Sequence, residues 1–134
     1  MMMPKKVVFI SFDYDNDSHY KNLLLAWDKN GEFDFELYNG SLKEAINSTN
    51  ATYIKSKIKP LISKATHVLC IVGKSAAKSD WINWEVQTGA DLKKKLIGVK
   101  LEKAFDSPKA LLNSSASWAL SFNFDSIKKA VEAA

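Results

Sequence analysis

Val68 to Val72 reads Val-Leu-Cys-Ile-Val, five apolar residues in unbroken succession between His67 and Gly73. A run of that length is strand-sized, and successive strand side chains point to opposite faces, so both faces must be covered. The rest of the chain supplies the covers. Short apolar runs interchange with helix-period segments, the form taken by repeated strand and helix units around a parallel sheet. The expectation is an α/β fold with Val68–Val72 at the centre of the sheet.

Lys6 to Phe12 reads as the first strand. Tyr20, Leu23, Leu24 and Trp27 fall at i, i+3, i+4 and i+7, predicting a helix that starts at Asp17 or Ser18 and ends at Asn30 and Gly31. Phe33, Phe35 and Leu37 alternate with polar neighbours, which predicts a half-exposed second strand near an edge. Asn39 to Thr52 is rich in Asn, Ser and Thr and reads as a long loop with a short helix around Leu42 to Ile46. Ile54, Ile58, Leu61 and Ile62 return to helix spacing, with Pro60 predicting a kink or break. Trp81 to Lys94 is the next helix, capped by Ser79 or Asp80. Leu96 to Leu101 and Trp118 to Phe122 read as further strands, and a last helix runs from about Asp125.

With 134 residues, 46% apolar and 25% charged, the chain is expected to form one domain, residues 1–134. No apolar stretch approaches the roughly 20 residues of a membrane span, and Asp13, Asp15 and Asp17 follow the first apolar run too soon for a secretory leader. A cytoplasmic protein without membrane attachment is expected. The single cysteine, Cys70, lies within the apolar run and reads as a small hydrophobe. All 19 basic residues are lysine, so any anionic ligand must be held by backbone amides, hydroxyls or ammonium groups. Those lysines are scattered and are not interleaved with aromatic residues, which argues against a nucleic-acid partner.

Ligands of open parallel sheets sit beyond the carboxyl ends of the strands. Those ends present Ser11 to Asp15 after the first strand, Asn39 to Ser41 after the second, and Gly73 to Ser75 after the third. On the helix that follows, Trp81, Trp84, Glu85, Thr88 and Leu92 share one face, with Asn83, Gln87 and Asp91 opposite. Glu85 thus stands in an apolar stripe. A carboxylate there must be paired, protonated or turned to a cleft where its charge is used; a lysine salt bridge or a cap on another helix are the structural alternatives.

Other motifs fail. Gly73-Lys74-Ser75 imitates the end of a phosphate-binding loop, but Val68 stands where its first glycine is required. A phosphoacceptor receiver would need an aspartate at the end of the third strand, where Val72 and Gly73 stand. His19 and His67 have no metal-ligand spacing, so no metal site is expected. There is no G-x-G-x-x-G fingerprint for a bound dinucleotide cofactor.

Phe9-Ile10-Ser11-Phe12 with Asp15 to Asp17, and Ser79-Asp80-Trp81-Ile82-Asn83-Trp84-Glu85, resemble the opening strand and the S-x-W-x-x-x-E segment of TIR domains. More narrowly, the Phe-Asp-Tyr-Asp opening, the long polar loop and the segment ending Trp84-Glu85-Val86 are similar to the TIR-like component of the bacterial Thoeris antiphage system. The resemblance extends over essentially the whole chain. It implies a flavodoxin-like TIR fold, a central parallel sheet with helices on both faces. It further implies an enzyme of NAD+ glycohydrolase and ADP-ribosyl cyclase type that releases nicotinamide and makes a cyclic ADP-ribose isomer. That product would be a diffusible second messenger activating a separate effector. The resemblance assigns Glu85 as catalytic and Ser11, Phe12, Asp13 and Asn39 to the substrate site. NAD+ is then the substrate and no cofactor is implied. The expected partners are a phage-derived trigger, such as a capsid protein, and other TIR copies. The alternative is a non-catalytic TIR interaction module, docking a second copy through the Asn39 to Thr52 loop.

The chemistry agrees with a single carboxylate. Nicotinamide is a pyridinium in NAD+ and leaves as a neutral base, so its departure needs no general acid, unlike that of an ordinary glycoside. A fixed anion in a dry cleft stabilises the developing ribosyl cation. Trp81, Trp84 and Phe12 are expected to form a stacking wall. Backbone amides near Ser79, the hydroxyls of Ser11 and Ser75, and Lys74 are the candidates for the pyrophosphate.

Overall fold

The computed structural model describes residues 6–29, 36–38, 51–112 and 114–134. Among these, five strands form one sheet: β1 (Val7–Ser11), β2 (Glu36–Tyr38), β3 (His67–Val72), β4 (Lys95–Lys100) and β5 (Ser117–Ala119). Every pairing is parallel, and the strand order is β2-β1-β3-β4-β5. The strand read as central is central, and all six of its residues are buried. β2 lies at an edge, as its alternation predicts; Phe33 and Phe35 lie outside the described residues.

Strand alternation divides the core. Val8, Ile10 and Phe12 face the side covered by α1 (Tyr14–Lys29) and α5 (Phe124–Ala133), where Leu24, Ile127 and Val131 pack against them. Phe9, Val68, Cys70 and Val72 face α2 (Ala51–Lys64), α3 (Asp80–Asp91) and the short α4 (Lys109–Leu112), meeting Ile58, Ile62, Ile82, Val86 and Leu111. Sheet and two helical layers are the predicted architecture.

Several boundaries differ from the sequence expectation, each for a local reason. Helix α1 starts at Tyr14, not at Asp17 or Ser18, because the Asp13 carbonyl accepts from the amides of Asn16 at 3.3 Å and Asp17 at 2.7 Å and so winds the first turn. The Asp13 carboxylate just before that turn suits the positive end of the helix dipole. Helix α2 begins at Ala51, so Thr52 is helical and not loop; the short helix expected around Leu42 to Ile46 lies outside the described residues. That helix also runs unbroken through Pro60. Ile54, Ile58 and Ile62 are buried on one side while Ser56 and Pro60 face solvent, so water can satisfy the carbonyl that proline leaves unbonded.

Helix α3 stops at Asp91, three residues short of the expected Lys94. Lys93 adopts φ 62°, and the amides of Lys93 and Lys94 bond back to the carbonyls of Ala90 and Gly89 at 3.0 and 2.9 Å. This is a Schellman stop with lysine in the usual glycine position. β5 ends at Ala119, earlier than the predicted Phe122. Phe122 leaves the sheet to pack on Trp27 and Tyr20, with ring centroids 5.7 and 4.9 Å away. Helix α5 starts one residue before Asp125, capped by Asn123, whose side chain accepts from the Ser126 amide at 2.8 Å.

Candidate active site

The strand order reverses direction between β1 and β3, since β1 connects outward to β2 and β3 onward to β4 and β5. In open α/β sheets, the crevice beyond the carboxyl ends at such a point is where ligands bind. Two buried carboxyls stand there, one from each helical layer.

The first is Glu85. Ser79 ends the turn of 3-10 helix at Ala76–Lys78, which the sequence reading missed, and its hydroxyl accepts from the Ile82 amide at 3.1 Å to start α3. Asn83 fastens the same corner by donating to the carbonyls of Ala77 and Ser79 at 3.0 and 2.9 Å. The face so set buries Ile82, Glu85, Val86, Thr88 and Gly89. Glu85 is only 8% exposed, and its Oε1 accepts from the Ser11 hydroxyl at 2.8 Å. Ser11 itself is fully buried at the last position of β1, its side chain on the α3 side. Charge in so dry a setting is costly to hold and strong in its effect on anything brought beside it.

Trp81 and Trp84 flank the buried stripe and do not form it, correcting the predicted face. Their rings meet edge to face at 6.1 Å, half-buried, with the Lys55 ammonium 5.7 and 5.4 Å from their centroids. Phe12 does not join them. It follows Ser11 by one residue, so it points to the opposite face, buried in the α1 and α5 layer beneath the Lys21 ammonium at 5.5 Å. Asp13 serves the start of α1, its carboxylate accepting from the Asn16 side chain at 2.8 Å. Ser79 is the cap of α3. The geometry therefore joins Ser11 to Glu85, sets Trp81 and Trp84 beside that helix, and puts Phe12 and Asp13 on the α1 side. Asn39 lies outside the described residues.

The second carboxyl, Asp17, is one the sequence reading passed over. It is 6% exposed in the first turn of α1, and its Oδ2 is buried with no hydrogen-bond partner among the described residues. It lies over Gly73, where an added Cβ would come within 2.2 Å of Oδ2. Burial, then the neighbouring Asp13 charge, raise its pKa above the ordinary 3.8, with His19 opposing. The signal was present: Asp17, Tyr20 and Leu24 share helix spacing, so this acid belongs to a buried stripe just as Glu85 does. Cys70, paired with Ser11 in the sheet, is fully buried, its thiol pushed far up by burial and then by the charges of Glu85 and Asp17.

A family model described as Thoeris protein ThsB, TIR-like domain, matches residues 9–106, the greater part of the chain. No curated protein matches the sequence. Among solved structures the chain is similar to a 2-desoxiribosyltransferase from Leishmania mexicana, with TM-score 0.55 and 20% identity over 73% of this chain and 66% of that one. It is also similar to the TIR domains of the activated Roq1 resistosome directly recognizing the pathogen effector XopQ, with TM-score 0.52 and 16% identity over 72% and 57% of the two chains. This chain thus spans less than two thirds of either relative, and at these identities the likeness is one of fold. The matched region contains the last three residues of β1, both acids at the switch point and the Ser79 to Glu85 segment, and the chain belongs to the Thoeris ThsB family of TIR-like domains.

Proposed function

We propose that this protein is an antiphage TIR enzyme that cleaves NAD+ at the bond between nicotinamide and ribose and closes the remaining ADP-ribose into a cyclic isomer. Glu85 is its catalytic carboxylate. The observation that carries the reading is the Glu85 carboxylate itself, 8% exposed and held by the Ser11 hydroxyl at the reversal of strand order. Nicotinamide departs with the bonding electron pair as a neutral base, so the site needs no acid for it. What it needs is a fixed anion for the positive charge that spreads over the ribose ring, and a carboxylate oriented in advance by Ser11 supplies that without reorganising. Closure then depends on a nucleophilic atom of the same molecule reaching the ribose carbon before water does, an effect of positioning and exclusion. Trp81 and Trp84, half-buried beside Glu85 on α3, suit the apolar wall that such exclusion requires.

On this reading NAD+ is consumed as substrate and no cofactor takes part. The enzyme works in the cytoplasm, is switched on by a phage component such as a capsid protein, self-associates through TIR contacts, and reaches its effector through the diffusible product. No helix among the described residues is long and apolar enough to cross a membrane.

The test is to incubate wild type and Glu85→Gln with NAD+, alone and in lysate of infected cells, and to follow nicotinamide and cyclic product. The substitution is expected to lower turnover by about a hundredfold or more, the order seen when one electrostatic stabiliser is removed, with circular dichroism unchanged. Undiminished product from the folded variant would remove Glu85 from the catalytic role, and no product from wild type under either condition would leave the interaction module as the better reading.

A further inference from the structure

The α1 side of the switch point holds a cavity of about 310 Å³, lined by Asp17, Tyr20, Lys74, Leu101, Glu102 and Phe105 among others. Its size suits a nucleoside rather than a whole dinucleotide. Its lining comes from the carboxyl ends of β3 and β4 and from the first turns of α1. We propose that this cavity takes the adenosine half of the substrate, with the Asp17 carboxyl bonding the ribose hydroxyls.

Three observations lead there, and the inference rests on the NAD+ reading above. Asp17 is the most deeply buried polar group of the cavity, and its Oδ2 has no partner among the described residues, so a hydrogen-bonding position stands ready for a donor from outside. A carboxyl repels phosphate, which excludes the pyrophosphate from that position; a hydroxyl pair is the complementary neutral donor. Exposed Lys74 supplies the cation that a phosphate requires, and the half-buried rings of Tyr20 and Phe105 offer surfaces for a base. Asp17 lies over Gly73, whose lack of a side chain that contact imposes, so bare backbone stands between Asp17 and the chain leading to Lys74. Ser11, which holds Glu85, pairs with Cys70 of β3, and Asp17 lies over Gly73 just past the end of the same strand, so both acids stand toward the carboxyl end of β3.

The test uses the full chain with AMP and its 2′,3′-dideoxy analogue as probes, by calorimetry or NMR titration, so that no turnover is needed. Wild type and Glu85→Gln are expected to prefer AMP by about tenfold or more, the effect of one or two hydrogen bonds to a buried carboxyl. Asp17→Leu and Asp17→Ala should abolish that preference, and Asp17→Asn, which keeps a carbonyl acceptor, should retain part of it. Equal binding of the two probes by wild type would overturn the inference without recourse to any variant. So would a preference that survives in folded Asp17→Leu or Asp17→Ala. Nicotinamide release with an NAD+ KM unaltered by Asp17→Leu would refute the subsite and spare the NAD+ reading; ribose discrimination without nicotinamide release would refute the NAD+ reading and with it the assignment to that substrate.

Discussion

A carboxyl shut away from water above Gly73 makes Asp17 a stability liability at neutral pH, and the sign of its contribution follows from the direction of its pKa. The folded state holds the proton to higher pH than the unfolded chain does. Stability is therefore fullest below the ordinary carboxyl value of 3.8 and is lost as pH rises through the higher folded value. Asp17→Asn, which cannot ionise, should raise the urea midpoint at neutral pH. That advantage should shrink toward nothing as pH falls to about 4. A constant advantage at every pH would contradict the assignment. Glu85 was legible in the sequence because a lone acid among Trp81, Trp84 and Thr88 breaks an apolar stripe visibly. Asp17 obeys the same spacing with Tyr20 and Leu24 but is masked by Asp13 and Asp15, which make the segment read as a polar loop. What no single sequence conveys is the meeting of Ser11 with Glu85 across 74 positions of chain.

Strands were the most legible elements, because Val68 to Val72 and Val7 to Ile10 are apolar on both faces and find the same place whatever their turns do. Helix ends were the least legible, since they are decided by single hydrogen bonds. The stop of α3 had no glycine to announce it: Lys93 takes the left-handed conformation and the chain turns into β4. A side chain in that conformation costs about 1 kcal/mol that glycine does not incur. Lys93→Gly should accordingly stabilise the protein by about that amount, read as a higher denaturant midpoint with an unchanged slope. Of the kink or break that Pro60 predicts, the break does not occur, because the cost of a proline depends on whether the carbonyl it strands faces water, which composition alone does not reveal.

At the scale of the whole molecule, the amino end of the sheet is tied to the last helix. The Lys6 ammonium donates to the carbonyls of Val131, Glu132 and Ala134 at 2.9, 3.2 and 3.4 Å, where the helix dipole favours a cation. Beside it, His67 opens β3, 5% exposed, with its Nδ1 2.7 Å from the Thr66 hydroxyl. Burial lowers its pKa below 6.5; the Ala134 backbone opposes this, and Lys6 and Lys95 add to it. The unfolded chain thus binds a proton that the folded one refuses. Stability from this group is whole above 6.5 and declines as pH falls from there toward the lower folded value. His67→Gln should flatten the unfolding free energy across that window; an unaltered slope would place the titration elsewhere.

Cys70 turns the layered architecture into its own instrument. It is the chain's single sulfhydryl, sealed in mid-sheet by both helical layers and made a poor nucleophile by its surroundings. A disulfide reagent has nothing to attack until the central ribbon is laid bare, so the pace of labelling counts excursions of the fold, and a bound nucleotide would be heard as a slowing of that clock.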